Sequence, residues 1–202
     1  IPFSVGDLFI SLSITAVLCF PFYGRYRKFS WKKVLRLEVE FLAWIYVWFY
    51  LSWGLNYSQY DFYARTQTPY VSYTPQGFKE FVKEYIVELN QAYVPVNDID
   101  KKEIAHEITS QYRLMADSLG VNKPFKSSPR VKSMMFSWLS SAVGITGYMG
   151  PFFCEFNLNK NLLPVEYAAT YAHEQAHLWG ITSEAEANFY AYQVCTRSAN
   201  KA

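Results

Sequence analysis

Two apolar runs, Leu8 to Phe22 and Leu37 to Tyr57, stand on either side of six cations: Arg25, Arg27, Lys28, Lys32, Lys33 and Arg36. No acidic residue falls between Asp7 and Glu38. The first run is broken only by Ser11, Ser13 and Thr15, whose hydroxyls a helix can satisfy against its own carbonyls. With Val5 and Gly6 it approaches the roughly 20 residues that cross a bilayer. The second contains Phe41 to Leu51 and then Trp53, and rings this dense near one end suit a bilayer interface. Glu38 and Glu40 are costly in hydrocarbon, so they are expected at headgroup level near Arg36. A short loop this basic stays in the cytoplasm. Residues 1–57 are therefore expected to form two transmembrane helices with a basic cytoplasmic loop, with the lipid bilayer as partner and residues 58–202 exported. The competing picture is a soluble aromatic helix pair whose basic loop is a solvated face; for the first run alone, it is a buried helix or a remnant of a signal-type segment.

Charge supports the division. The chain holds 19 Lys+Arg against 17 Asp+Glu, but with the loop cations and Asp7, Glu38 and Glu40 set aside, 13 face 14. The positive excess belongs to the loop, and no basic face remains for nucleic acid. At 202 residues the chain can bury one good core plus extras. It begins at Ile1, so further sequence is expected upstream. Cys154 and Cys195 both fall in the exported part, where a disulfide between them is permitted; spacing alone does not pair them.

Beyond Tyr57, residues 58–74 read as a linker. Thr74-Pro75 opens a helix as N-cap and first helical residue. Phe78, Phe81, Val82, Tyr85, Ile86 and Leu89 then recur at helical spacing through about Tyr93. After Val94-Pro95, Asp98 to Leu119 predicts a second helix with Ile104, Ile108, Tyr112, Leu114 and Met115 inward, ended by Gly120. His106 falls on its polar side and reads as a surface residue. Arg130 to Ser137 and Gly147 to Leu158 show a strand-and-turn pattern broken by Gly144, Gly147, Gly150 and Pro151. Leu163-Pro164 starts a helix, Val165 to Trp179, stopped by Gly180; Ser183 opens a last one to about Arg197.

The helix before Gly180 carries His173-Glu174-Gln175-Ala176-His177. Residues i and i+4 share a helical face, so both imidazoles can bind one ion. Glu174 then projects beside it, where a carboxylate can take a proton from water. Seven residues past His177, Glu184 offers a third ligand. Two His and one Glu with a fourth position open is the ligand set of a hydrolytic Zn2+ site. Glu186 competes for that place, but Ser183-x-x-Glu186 fits a capping box, which gives Ser183 and Glu186 a structural role and leaves Glu184 to face the metal. Asn188, four residues after Glu184, shares its face and could orient a ligand by hydrogen bond, or simply pack. Tyr148, Tyr171 and Tyr190 are candidates for stabilising an oxyanion. The competing reading of the pair is two partly buried histidines that cap unrelated groups.

His173-Glu174-x-x-His177 followed by Glu184-x-Glu186-Ala187-Asn188 resembles the gluzincin type of zincin metallopeptidase, whose third ligand is a Glu in an E-x-x-A-[D/N] helix. That alignment also selects Glu184. More of the chain is similar to an uncharacterised family of bacterial membrane proteins with a Trp-Gly-Leu-Asn-Tyr signature, present here at Trp53 to Tyr57. The same family has a Gly/Thr/Phe-rich stretch, as in Gly144 to Asn159, and an E-x-E-A-N-F segment, as in Glu184 to Phe189. The resemblance implies an α+β fold: an N-terminal transmembrane helical hairpin, then a zincin-like domain with a small sheet, an active-site helix and a ligand helix. In such a fold the strand before the active-site helix, within Gly147 to Leu158, borders the cleft and can pair with an extended peptide. The expected function is a zinc-dependent metallopeptidase of the bacterial cytoplasmic membrane, its site on the outer face, with a peptide or protein substrate and Glu174 as general base. The alternatives are a non-catalytic zinc-binding or scaffold domain of the cell envelope, or an amidase acting on a non-peptide amide.

Overall fold

The computed structural model describes residues 3–96, 98–122 and 127–198. In chain order these form α1 (Val5–Tyr26), α2 (Trp31–Ser52), a 3₁₀ turn (Gly54–Ser58), α3 (Phe62–Thr66), α4 (Pro75–Ala92), α5 (Lys101–Met115), β1 (Lys132–Ser133), α6 (Ser137–Ala142), β2 (Gly147–Gly150), β3 (Glu155–Leu158), α7 (Pro164–Leu178) and α8 (Glu184–Cys195). The protein is a mostly helical α/β chain with one small sheet. It divides into two compact units, one built from the described residues of 1–59, 130–162 and 174–183, the other from those of 60–129, 163–173 and 184–202.

In the first unit, Ser4 and Ser30 cap α1 and α2, their side chains accepting from the Asp7 and Lys33 amides. The connection is tight: the Phe29 amide bonds back to the Gly24 carbonyl at 2.9 Å. A Cβ on Gly24 would lie 2.6 Å from Val34 Cγ2, so glycine lets the two helices approach. Among the described residues α1 alone is long and apolar enough to cross a membrane. α2 has the same 22-residue length, but its first half carries Lys32, Lys33, Arg36, Glu38 and Glu40. Its uninterrupted apolar run, Phe41 to Leu51, is well short of the roughly 20 residues a span requires.

The sheet has the order β1-β3-β2. β1 runs parallel to β3 (Lys132↔Asn157) and β2 antiparallel to it (Gly147↔Leu158, Gly150↔Glu155). All four residues of the central strand β3 are buried. The strand pattern expected over Arg130 to Ser137 shrinks to two residues, because the chain turns at Met135 and Phe136 and enters α6.

The start of α1 is fastened to this sheet. Glu155 Oε2 accepts from the Gly6 amide at 2.7 Å and the Ser4 hydroxyl at 3.2 Å, while Lys132 pairs with Oε1. Burial alone would raise the Glu155 pKa, but Lys132 and the helix amides outweigh it and hold the carboxylate below its usual range. Tyr148 donates to Asp7, whose other oxygen accepts from the Met135 amide at 2.7 Å. Burial and that carboxylate keep the Tyr148 hydroxyl protonated far above its ordinary range. At the end of α2, Trp48 Nε1 donates to the Phe152 carbonyl at 2.8 Å. Phe9 meets Phe152 and Phe153 at ring-centroid distances of 5.1 and 5.6 Å, pairs worth about 0.5–1.5 kcal/mol each beyond burial. The sheet thus lies at the end of the helix pair remote from the basic turn.

In the second unit, α5 and α8 share the core. Ile104, Ile108 and Tyr112 of α5 and Ala187, Tyr190 and Val194 of α8 are all buried, and the two helices pack on each other. Leu114 corrects the expectation of an inward residue: it is 76% exposed, because the buried stripe runs on through Tyr112 to Ala116. The segment expected as a plain linker contains α3, capped by Asp61 and ended by Gln67 at φ 56°. No residue of α4 is buried, so Phe78, Phe81, Tyr85, Ile86 and Leu89 form an exposed apolar face. The disulfide considered between Cys154 and Cys195 does not form. All three cysteines are free thiols, with Cys195 donating to the Ala168 carbonyl and Cys154 to that of Ser52.

Candidate metal centre

α7 begins at Pro164, which fixes its first φ, ends at Leu178, and is followed by Gly180, whose φ of +91° suits a residue without Cβ. The turn curls back on the helix: the Gly180 amide bonds the His177 carbonyl at 2.8 Å and the Ile181 amide the Ala176 carbonyl at 3.3 Å. Ile181 therefore presents its own carbonyl to His177, 2.6 Å from Nδ1. A carbonyl can only accept, so His177 donates from Nδ1, and Nε2 is the nitrogen on the side of a ligand atom.

His173 is held the same way by a side chain. Its Nδ1 lies 2.9 Å from Asn188 Oδ1, again an acceptor, and its Nε2 lies 3.1 Å from Glu184 Oε2. With the proton on Nδ1, an imidazole lone pair faces a carboxylate oxygen. Two acceptors at that distance repel unless a cation lies between them, either a proton or a metal ion. His173, His177 and Glu184 each offer a ligand atom, and these atoms lie within 4.8 Å of one another along the α7–turn–α8 segment. The donor set fits Zn2+: two imidazole nitrogens held in one tautomer and a carboxylate that is 75% exposed, leaving that side accessible to water.

Glu174 is only 4% exposed and packs against the start of β2. A Cβ on Gly147 would fall 2.6 Å from Glu174 Cγ and 2.7 Å from Oε1, so the strand comes this close only because residue 147 has no side chain.

The remaining candidates sort out on position. Glu186 is structural: Oε1 accepts from the Phe62 amide at 2.8 Å, capping α3, and Oε2 from Arg65 at 2.5 Å. Ser183 directly precedes α8. Tyr171 and Tyr190 do not serve an oxyanion. Both are fully buried, with hydroxyls directed to the Pro129 and Leu119 carbonyls at 3.5 and 2.6 Å. The Tyr148 hydroxyl is taken by Asp7 and Ser4. His106 is exposed on α5. Sequence reasoning missed the Ile181 carbonyl, a backbone group without a residue signature, and Gly147, read there only as a turn residue. It also missed Arg65, four residues after the Asp61 cap, which donates to both Glu186 and Tyr190.

A family model described as protein of unknown function (DUF3810) matches residues 1–202. No curated protein and no solved structure matches the chain.

Proposed function

The chain belongs to the DUF3810 family, and on that premise we propose that it is a membrane-anchored, zinc-dependent peptidase. The observation that carries the reading is the convergence of His173 Nε2, His177 and Glu184, with both Nδ1 atoms held by acceptors. His173, His177 and Glu184 would hold Zn2+, which when bound supplies a Lewis acid that polarises a carbonyl and acidifies water. Ile181 and Asn188 keep the imidazoles turned so that Nε2 faces the ion. Glu174, steadied against Gly147, takes a proton on its carboxylate and returns it to the leaving amine. β2 is an edge strand, so its open side can pair with an extended peptide backbone.

Exposure supports the membrane part of the reading. Leu12, Ile14 and Leu18 on α1 and Leu42, Trp44 and Leu51 on α2 are all exposed, an apolar surface that suits lipid. With α1 crossing and α2 returning beside it, the shorter apolar run of α2 in the hydrocarbon and its charged first turns at headgroup level, the basic turn would lie on the cytoplasmic side. Because the sheet joins the opposite end of the pair, it and Glu174 would face outward from a bacterial cytoplasmic membrane.

The test is metal analysis of the detergent-solubilised protein, with a diverse peptide library offered to wild type and Glu174→Gln. Wild type should hold one zinc and cleave; Glu174→Gln should keep the zinc and lose cleavage. Hydrolysis by the variant at the native rate would sink the mechanism, and absence of stoichiometric metal in wild type would sink the zinc reading.

A further inference from the structure

The segment that leaves α2, Trp53-Gly54-Leu55-Asn56-Tyr57, does more than end a helix. It forms the 3₁₀ turn, with the Asn56 amide bonding the Trp53 carbonyl at 2.9 Å and the Gln59 amide the Asn56 carbonyl at 3.1 Å. A Cβ on Gly54 would meet the Tyr50 ring at 3.0 Å and Phe49 at 3.3 Å, so glycine allows this reversal against the last turns of α2. The side chains then lock to each other, Gln59 Nε2 donating to Asn56 Oδ1 at 2.8 Å.

That amide pair lies directly on the turn after α7. A Cβ on Gly180 would stand 2.8 Å from Asn56 Oδ1, 2.9 Å from Gln59 Nε2 and 3.2 Å from Asn56 Cγ. Gly180 is the left-handed residue that curls the chain so that the Ile181 carbonyl reaches His177 Nδ1. The sequence of contacts is short: the Asn56–Gln59 pair, Gly180, the Ile181 carbonyl, the His177 imidazole.

We infer that Asn56 and Gln59 are positioning residues for the ligand His177, acting through the Gly180 turn to fix the tautomer and orientation of its ring. The inference rests on the zinc reading. Without the amide pair the turn loses the surface that holds it at its positive φ. The Ile181 carbonyl then drifts from Nδ1, and the imidazole samples the other tautomer, which offers the wrong nitrogen. Partners that orient a metal-binding histidine typically change metal affinity by roughly 10–100-fold when removed.

The experiment uses the full chain in detergent, with two readouts. The first is Co2+ affinity and the visible spectrum of the Co2+ form, for wild type, Asn56→Ala, Gln59→Ala and Asn56→Asp. The second, on metal-free protein, is the imidazole nitrogen NMR spectrum, which reports tautomers and is tractable with three histidines. Asn56→Ala should weaken Co2+ binding about tenfold or more, alter the Co2+ spectrum and move His177 toward a tautomer mixture. Asn56→Asp keeps the acceptor for Gln59 and should stay near wild type. If Asn56→Ala loses its thermal unfolding transition, Gln59→Ala carries the test, since Gln59 is exposed and its removal leaves the backbone turn intact. Wild-type affinity, spectrum and tautomer in the alanine variants would overturn the inference while leaving the zinc reading standing. A wild-type protein that binds no Co2+ would remove both together.

Discussion

Replacing Gly147 with alanine tests the placement of Glu174 by a single methyl group. The added Cβ would sit 2.6 Å from Glu174 Cγ, 2.7 Å from Oε1 and 3.0 Å from Cδ. Non-bonded carbons rest at about 3.5–4.0 Å, so one side must give way by about 1 Å. The strand has little freedom, because Gly147 pairs with Leu158 and all of β3 is buried. Glu174 has little more: it is 4% exposed, and the closest atom is Cγ, near the helix, rather than a flexible tip. The carboxylate is therefore displaced by about 1 Å, and if Glu174 is the base proposed above, an error of that size costs on the order of 10²-fold in rate. Overpacking should also lower stability by about 1–3 kcal/mol. Backbone strain adds nothing, since φ at 147 is not in the left-handed region. The assay compares kcat on a cleaved peptide, zinc content and urea denaturation for wild type, Gly147→Ala and Gly144→Ala. Gly144 has open space around its Cβ position but φ +75°, so its substitution should cost stability without approaching Glu174. On the proposed zinc-peptidase reading, Gly147→Ala should retain zinc and lose most of kcat. A variant with native kcat and native stability would refute the packing of Glu174 against β2.

If the proposed site holds zinc, Asn188→Ala should weaken its binding by roughly 10–100-fold while leaving Glu174 in place, measured by chelator competition. Arg65→Ala removes the donor shared by Glu186 and Tyr190 in a mostly buried pocket and should destabilise by about 1–3 kcal/mol in denaturant titration. Burial pushes the Cys195 thiol from its ordinary 9.0 up to about 11. Its contribution to stability is complete below pH 9 and is lost as pH rises toward 11, so thermal midpoints should fall across that window, and Cys195→Ser should flatten the fall.

Much of the fold could be read from punctuation in the chain. Thr74-Pro75, Leu163-Pro164 and Gly180 set helix ends through φ and amide constraints local to each residue, and α4 and α7 lie within a residue or so of the expected bounds. Tertiary choices were less legible. Leu114, expected inward with Ile108 and Tyr112, lies two residues past Tyr112 and so points off their helical face, and the packing of α5 on α8 leaves it exposed. α3 is one turn long, too short for periodicity, and its only marks are Asp61 and Arg65. At the candidate metal centre, side chains with ligand chemistry were visible as a motif, and Asn188 followed from its spacing to Glu184. The Ile181 carbonyl and the missing Cβ of Gly147 were not visible, because one is backbone and the other is the absence of an atom at a contact made across the chain.

The attachment of α1 to the sheet bears on how the protein can be handled. A soluble fragment beginning at Ser58 would leave Glu155 without the Ser4 and Gly6 donors and Tyr148 without Asp7. It would also strip Phe9 and Trp48 from Phe152 and Phe153. The N-terminal helices are thus not a leash from which a self-sufficient head can be cut; they supply one wall of the sheet that carries Gly147.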